Sequence, residues 1–284
     1  MKKIITLTLA LLLIFGCISI IAIADEVPLS ADIYVTVADK GTLVVIREKI
    51  TVTDKDNDSK LNIDEALFAL HEAKYTGGAA AGYATQTTQW GLGIVKLWGD
   101  ESGNYGYYVN NASAWGLADE VKAGDSLNAF VYKDGQGYSD TYCWFDKTDV
   151  SAEGSAEISL VLKGAGYDAN WNPIEVPLEN AVITLNGEKT EFKTDKDGKV
   201  TVTVNNAGSY VISAVSEDAV LVPPVCKLTV TAKEVITDNK YNNQDKVTSP
   251  ETGDSRNIAV LAIIMAVSLC GIIVSALKNK SYDE

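Results

Sequence analysis

"DIYVTVADKGTLVVIREKITVTDKDNDSKLNIDEALFALHEAKY", residues 32–75, changes its hydrophobic period once, and that change defines the first half of the chain. Residues 32–37 alternate apolar and polar side chains, "ADKG" is rich in turn formers, and "TLVVIREKITVT" returns as a second strand. After an aspartate-rich loop, Leu61, Ala66, Leu67, Leu70 and Ala73 recur at helical spacing, which predicts a helix over residues 61–75. "TGGAAAG", residues 76–82, breaks that helix. It lacks the Lys-Ser/Thr pair and the preceding strand of a phosphate loop, so it reads as a connector. "GLGIVKLW", "YGYYVNN" and "SLNAFVYKD" follow as further strands.

The loop between strand and helix holds the densest set of metal-ligand candidates. With Asp54 as position 1 of a twelve-residue calcium loop, Asp56, Asp58, Lys60, Asn62 and Glu65 fall at positions 3, 5, 7, 9 and 12. Lys60 would serve through its backbone carbonyl and Glu65 as the bidentate ligand, and hard carboxylate oxygens at this spacing suit calcium. Ser59 stands where such loops carry glycine, and a strand replaces the incoming helix. The other reading is a helix N-terminus, where acidic residues complement the dipole and cap free N–H groups. Capping needs one or two carboxylates and the stretch carries five, so the expectation is a structural calcium site.

Hairpin, helix and further strands are the order of a β-grasp-like α+β module. Within it, an Ile-x-x-Leu-Trp-Gly strand, a Tyr-x-Val-Asn-Asn strand and turn, and "VKAGDSLNAFVY" resemble the transcobalamin C-terminal-like domain of bacterial surface proteins. The resemblance covers residues 31–147 and is best marked at Gly106, Tyr108, Val109, Asn110, Asn111, Gly124, Asp125 and Tyr132. It implies a ligand-binding module, and in the namesake vitamin carriers a domain of this shape closes over cobalamin. Tryptophans and tyrosines crowd the same region. Because successive strand residues face opposite ways, some must point outward or into a cleft. Trp90, Trp98, Tyr108 and Trp115, with Asn110 and Asn111 for polar contacts, are therefore the candidate ligand-binding residues, able to stack on sugar or corrin faces or to anchor a protein.

From about residue 155 the texture becomes short alternating strands separated by frequent turn residues. Residues 155–232 are expected to form a β-sandwich of bacterial Ig-like or carboxypeptidase-regulatory-like type, following a first module over residues 25–150. Asp195-Lys196-Asp197-Gly198 reads as a turn rather than a metal site. Cys143 and Cys226 are either a disulfide or two buried thiols.

The two ends set the setting. Residues 1–24 have a basic start, an apolar stretch and an Ala-Ile-Ala cleavage pattern, as a secretory signal peptide does. Near the other end, residues 233–248 are polar and stalk-like, and residues 258–277 are apolar enough for a membrane span, with a short charged tail over 278–284. "SPETG" (Ser249, Pro250, Glu251, Thr252, Gly253) ahead of that span resembles the sorting signal of Gram-positive sortase substrates. The resemblance implies cleavage after Thr252 and transfer to peptidoglycan, so that the membrane is touched only through the span before sorting. A formal net charge of −14 excludes nucleic acid and anionic lipid as partners. His71 is the single histidine, expected to lie half exposed on its helix, and no nucleophile motif surrounds it. The sequence therefore describes a wall-anchored, non-enzymatic protein that binds an extracellular glycan, protein or small molecule, with a corrinoid as the specific small-molecule alternative.

Overall fold

The computed structural model describes residues 29–233. The expected signal peptide, the stalk beyond Lys233, the Ser249–Gly253 pentapeptide, the apolar span and the charged tail lie outside the described residues. Among the described residues no helix is long and apolar enough to cross a membrane.

Strand β1 (Ser30–Asp39) turns into β2 (Thr42–Thr53) through Lys40 and Gly41, both with positive φ, the pattern of a two-residue type I′ hairpin. Helix α1 (Ile63–Lys74) starts at a capping box: the Asn62 side chain accepts from the Glu65 N–H, and the Glu65 carboxylate accepts from the Asn62 N–H. A short helix, α2 (Gly78–Gly82), occupies the segment the sequence assigns to a connector. Strands β3 (Ala84–Thr88) and β4 (Gly91–Lys96) pair only with each other. Strands β5 (Tyr105–Val109), β6 (Ala112–Ser113) and β7 (Ser126–Val131) complete a mixed sheet of order β2-β1-β7-β5-β6, with β1 and β7 parallel at its centre. The α1 face carrying Ile63, Ala66, Leu67 and Leu70 packs on Ile33, Val35 and Val37 of β1 and on Val45, Ile50 and Val52 of β2. Each buried Leu or Ile contributes about 1.5–3 kcal/mol, enough to hold a helix too short to persist alone.

The remaining strands form a two-sheet sandwich. One sheet runs β11-β10-β8-β16, from β8 (Thr141–Phe145), β10 (Ala156–Tyr167), β11 (Pro173–Pro177) and β16 (Leu221–Val222), with β14 (Lys199–Val204) also paired to β10. The other runs β13-β12-β15-β17-β9, from β9 (Asp149–Glu153), β12 (Val182–Leu185), β13 (Glu188–Lys193), β15 (Gly208–Val215) and β17 (Cys226–Thr231). Alternate residues of β10 and β14, including Leu160, Leu162 and Val202, meet Ile183, Ile212 and Leu228 of the facing sheet. The whole described chain is thus mostly β, with an expected sandwich in its second half. Asp195–Gly198 is a turn, as expected, but it links strands of different sheets rather than closing a hairpin.

The division at residue 150 does not follow the hydrogen bonding. Strand β8 pairs antiparallel with β10 and β9 pairs parallel with β17, so both are strands of the sandwich. Their alternation is that of any half-buried strand, and local pattern carries no information on which sheet recruits it. Nor are the halves independent. Ala38 and Phe130 of the first sheet form a buried cluster with Tyr142 and Val222 of the sandwich, flanked by Leu43, Tyr108, Tyr132 and Trp144. Gly106 is required there, because a β-carbon would overlap the Phe130 ring.

A β-bulge adds the polar half of this junction. The β1–β2 register shifts where Ile46 and Arg47 oppose the single Thr36, and Arg47 has φ +44° with its N–H on Thr36 Oγ1. Arg47 Nε meets Asp149 Oδ2 at 2.7 Å, Nη1 donates to Ser126 Oγ at 2.7 Å, and the guanidinium lies 4.1 Å from the Tyr34 ring centre. The Arg47 carbonyl accepts from Lys227 Nζ at 3.1 Å. Arg47 therefore contacts both modules.

Candidate functional site

The β5–β6 hairpin turns at Asn110 and Asn111, whose φ values of +50° and +66° suit the left-handed tolerance of asparagine. Asn110 is fully engaged locally: its Oδ1 accepts from the Ser126 N–H and its Nδ2 donates to Asp125 Oδ1. Asn111 reaches across the junction, its Oδ1 accepting from Tyr142 Oη at 2.9 Å. Beside it Tyr108 stacks on Tyr142 with ring centroids 3.7 Å apart and planes within 8°. Burial pushes the Tyr108 phenol up to about 12, with Tyr132 and Tyr167 adding to the shift, and it also raises Tyr142. Both are neutral across the physiological range.

This hairpin forms one wall of a cleft of about 660 Å3 between the modules. The other wall is the β10–β11 hairpin of the sandwich. Its loop is closed by its own hydrogen bonds: Asp168 Oδ1 accepts from the N–H groups of Asn170 and Asn172, and the Trp171 N–H bonds back to the Asp168 carbonyl. Trp171 sits on that loop with φ +63° and is 81% exposed. A bulky residue in the left-handed region is an outlier that costs roughly 1–2 kcal/mol, which asparagine or glycine would largely avoid. Trp115 projects from the opposite wall, 98% exposed. Its segment hangs on the start of α1: the Trp115 N–H is held by Asp119 Oδ2 at 2.7 Å, while Ile63 and Asp64 donate to the carbonyls of Asp119 and Leu117. Of the cleft's side chains only Glu175 is charged, and it is paired with Lys163 at 2.6 Å.

Tyr108, Asn110, Asn111 and Trp115 of the expected ligand-binding set thus share one cleft. Trp90 and Trp98 do not line it. Trp90 is 89% exposed at the β3–β4 hairpin, and Trp98 is half-buried against His71 and Tyr75. Trp144, one of the crowded aromatics of the first half, also lines the cleft, whereas sequence reasoning missed Tyr167 and Trp171. The last two were legible only as aromatics beside an Asp-Ala-Asn-Trp-Asn turn, and nothing local joins them to a hairpin about sixty residues earlier.

His71 departs from expectation. It is fully buried: its Nδ1 bonds the Leu67 carbonyl at 2.6 Å, its Nε2 accepts from the Trp98 N–H at 3.0 Å, and its ring stacks on Tyr83. Burial holds its pKa below the ordinary histidine value against the pull of the Leu67 carbonyl. It faces inward because it lies one helical turn beyond Leu67, on the core stripe.

The metal candidates divide. Carboxylate oxygens of Asp54, Asp56 and Asp58 lie within 4.8 Å of one another. Asp54 accepts from the N–H groups of Asn57 and Ser59, and Ser59 has φ +65°, so serine adopts the conformation that favours glycine at this position. Glu65 does not join them: its two oxygens accept from the N–H groups of Lys55 and Asn62. Asn62 caps the helix through Oδ1, and Lys60, expected to serve through its backbone carbonyl, pairs its Nζ with Glu120 without engaging that carbonyl. The aspartate triad offers hard oxygens that fit calcium, whereas the expected bidentate glutamate is spent on capping. Cys143 and Cys226 are free thiols, not a disulfide. Cys143 Sγ donates to the Val222 carbonyl, and burial raises both thiols, Cys226 to about 11.

No family model matches the chain, and no curated protein does. Among solved structures, the chain is similar to fibronectin(III)-like modules of Clostridium thermocellum CbhA, at 10% identity over 72% of this chain and 95% of that one, with a TM-score of 0.24. The D0-D1 domain of intimin aligns at 15% identity over 70% and 96%, again with a TM-score of 0.24. The N-terminal four Ig domains of Dscam1 align at 7% identity over 70% of this chain and 44% of theirs, with a TM-score of 0.20. Scores this low carry no argument, and the architecture stands on its strand pairing.

Proposed function

We propose that this is a non-enzymatic binding protein of the Gram-positive cell surface, in which a β-grasp-like module and an Ig-like sandwich jointly form the ligand site. The observation that carries the reading is the cleft between them, where exposed Trp115 and Trp171 stand on opposite walls. Order β2-β1-β7-β5 with a parallel central pair and a covering helix supports the β-grasp assignment. The groups that would serve an enzyme are committed to the fold: His71 uses both ring nitrogens in packing, and both thiols are buried with raised pKa. Binding of the full-length chain to glycans, proteins and corrinoids, compared with Trp115→Ala and Trp171→Asn variants, tests the reading. Capture indifferent to both substitutions refutes it.

Wall anchoring rests on Ser249–Gly253 and the span after it, both in the sequence outside the described residues. Deleting the pentapeptide should release the protein from the wall fraction, and its retention there would exclude sortase attachment. Calcium is proposed as a structural ion at Asp54, Asp56 and Asp58, tying β2 to the start of α1. A volume within the range of small-molecule sites keeps a corrinoid as the second reading of the cleft, separable by titration with cobinamide and cobalamin.

A further inference from the structure

We infer that the cleft takes a neutral oligosaccharide, clasped between the indoles of Trp115 and Trp171. This rests on the cleft being the ligand site and specifies its ligand.

The first ground is Trp171. Its indole is 81% exposed and is tilted at 49° to the Tyr167 ring with centroids 6.1 Å apart, so burial gives the fold little in return for a strained backbone. Strain of this kind clusters at functional sites, and Trp171 differs from Arg47 and Trp98, which also have positive φ, in gaining no burial from it. The loop that holds it is closed by Asp168, which fixes the backbone that carries the ring. The second ground is the pairing of two such rings. Trp115 and Trp171 come from different modules and face one concave space, so a ligand must offer a C–H surface to each. A sugar ring does this, with hydroxyl groups at its rim that both donate and accept. Asn111 meets that requirement: its oxygen is taken by Tyr142, which leaves its Nδ2 to donate, and Ser113 adds a hydroxyl.

Charge selects among sugars. Among the described residues no lysine or arginine lines the cleft, Glu175 is paired with Lys163, and the phenols are uncharged. The chain as a whole carries −14. Uronic and sialic acids therefore find no cation and meet a repelling surface, whereas an uncharged chain of hexose or N-acetylhexosamine units loses nothing.

The test is binding of the full-length chain to neutral oligosaccharides and to their uronic-acid counterparts, followed by tryptophan fluorescence and calorimetry. Neutral sugars should bind, acidic ones should not, and Trp115→Ala or Trp171→Asn should each weaken binding roughly tenfold, as expected for one lost stacking contact. Both residues are exposed, so the variants keep the fold, and Trp90→Ala supplies an equally exposed control that should change nothing. Preference for acidic sugars, or neutral binding untouched by both cleft variants, overturns the inference. Adhesion to a glycoprotein-coated surface separates the two levels. Adhesion that survives deglycosylation but fails in the tryptophan variants removes the sugar and keeps the cleft, and adhesion indifferent to the tryptophans removes both.

Discussion

Arg47→Met should loosen the two modules from each other. The perturbation is confined: Arg47 is 12% exposed, and its guanidinium touches Asp149 of the sandwich, Ser126 of β7 and the Tyr34 ring. Asp149 is 55% exposed, so its ion pair is screened by solvent and contributes only about 0.2–1 kcal/mol. The charge-assisted bond to Ser126 is better shielded and contributes about 1.5–3 kcal/mol. The contact with Tyr34 adds about 0.5–1 kcal/mol, while methionine recovers part of the buried stem. The net loss is about 2–4 kcal/mol, or about 4–16 °C in midpoint for a chain of this size. Calorimetry reads both the shift and its shape. Because Asp149 is the only partner across the junction that the guanidinium reaches, a cycle with Asp149→Ala should return a coupling below about 1 kcal/mol, with most of the loss remaining in the single Arg47 variant. If the junction is what makes the halves cooperative, one transition should broaden or split into two. A single transition with an unmoved midpoint would refute the energies assigned to Arg47, and a coupling of zero with Asp149→Ala would refute that ion pair as a link between the modules.

Acid should act through His71. Its folded pKa lies below the ordinary 6.5, so the unfolded chain binds a proton that the native chain refuses. Its contribution is complete above pH 6.5 and is lost as pH falls toward the folded value, at up to about 1.4 kcal/mol per pH unit, and a His71→Phe variant should lose that slope in denaturant titrations. Thermal unfolding with calcium and then with a chelator should show a higher midpoint with the ion, and Glu65→Gln should preserve much of that difference because Glu65 caps the helix rather than joining the triad. An unchanged midpoint leaves only a helix cap. Trp171→Asn should raise stability by about 1 kcal/mol, since it relieves a left-handed tryptophan without removing buried area, and a lower midpoint would show that the ring supports the fold. Cys143 and Cys226 should resist thiol reagents until the chain unfolds, and reductant should leave the midpoint where it is.

Much of the fold was legible where its causes are local. Period-two alternation marks β1, β2, β10 and β14, the helical stripe marks α1, and Asn-Asn and Asn-Gly mark turns because those residues tolerate positive φ. The aspartate cluster was equally legible, since ligands two residues apart on one loop are neighbours whatever surrounds them. Tyr108, Asn110, Asn111 and Trp115 did come together, but other inferences that needed the placement of particular groups failed. Glu65 had the right spacing for a ligand, and its choice of the Lys55 and Asn62 N–H groups was set by the geometry of the helix start. Cys143 and Cys226 formed an even pair in sequence, yet each remains a free thiol in the sandwich core.

The sequence by itself determined the longer elements, the sandwich character of the second half, the acidic surface and the presence of aromatics with no obvious burial. Only the tertiary structure decided that β8 and β9 belong to the sandwich, that Arg47 bridges the halves, and that Trp115 and Trp171 share a cleft. The physical reason is one of range. Backbone conformation and amphipathic pattern act over a few residues, whereas strand recruitment and packing depend on which surfaces remain to be buried once those elements exist.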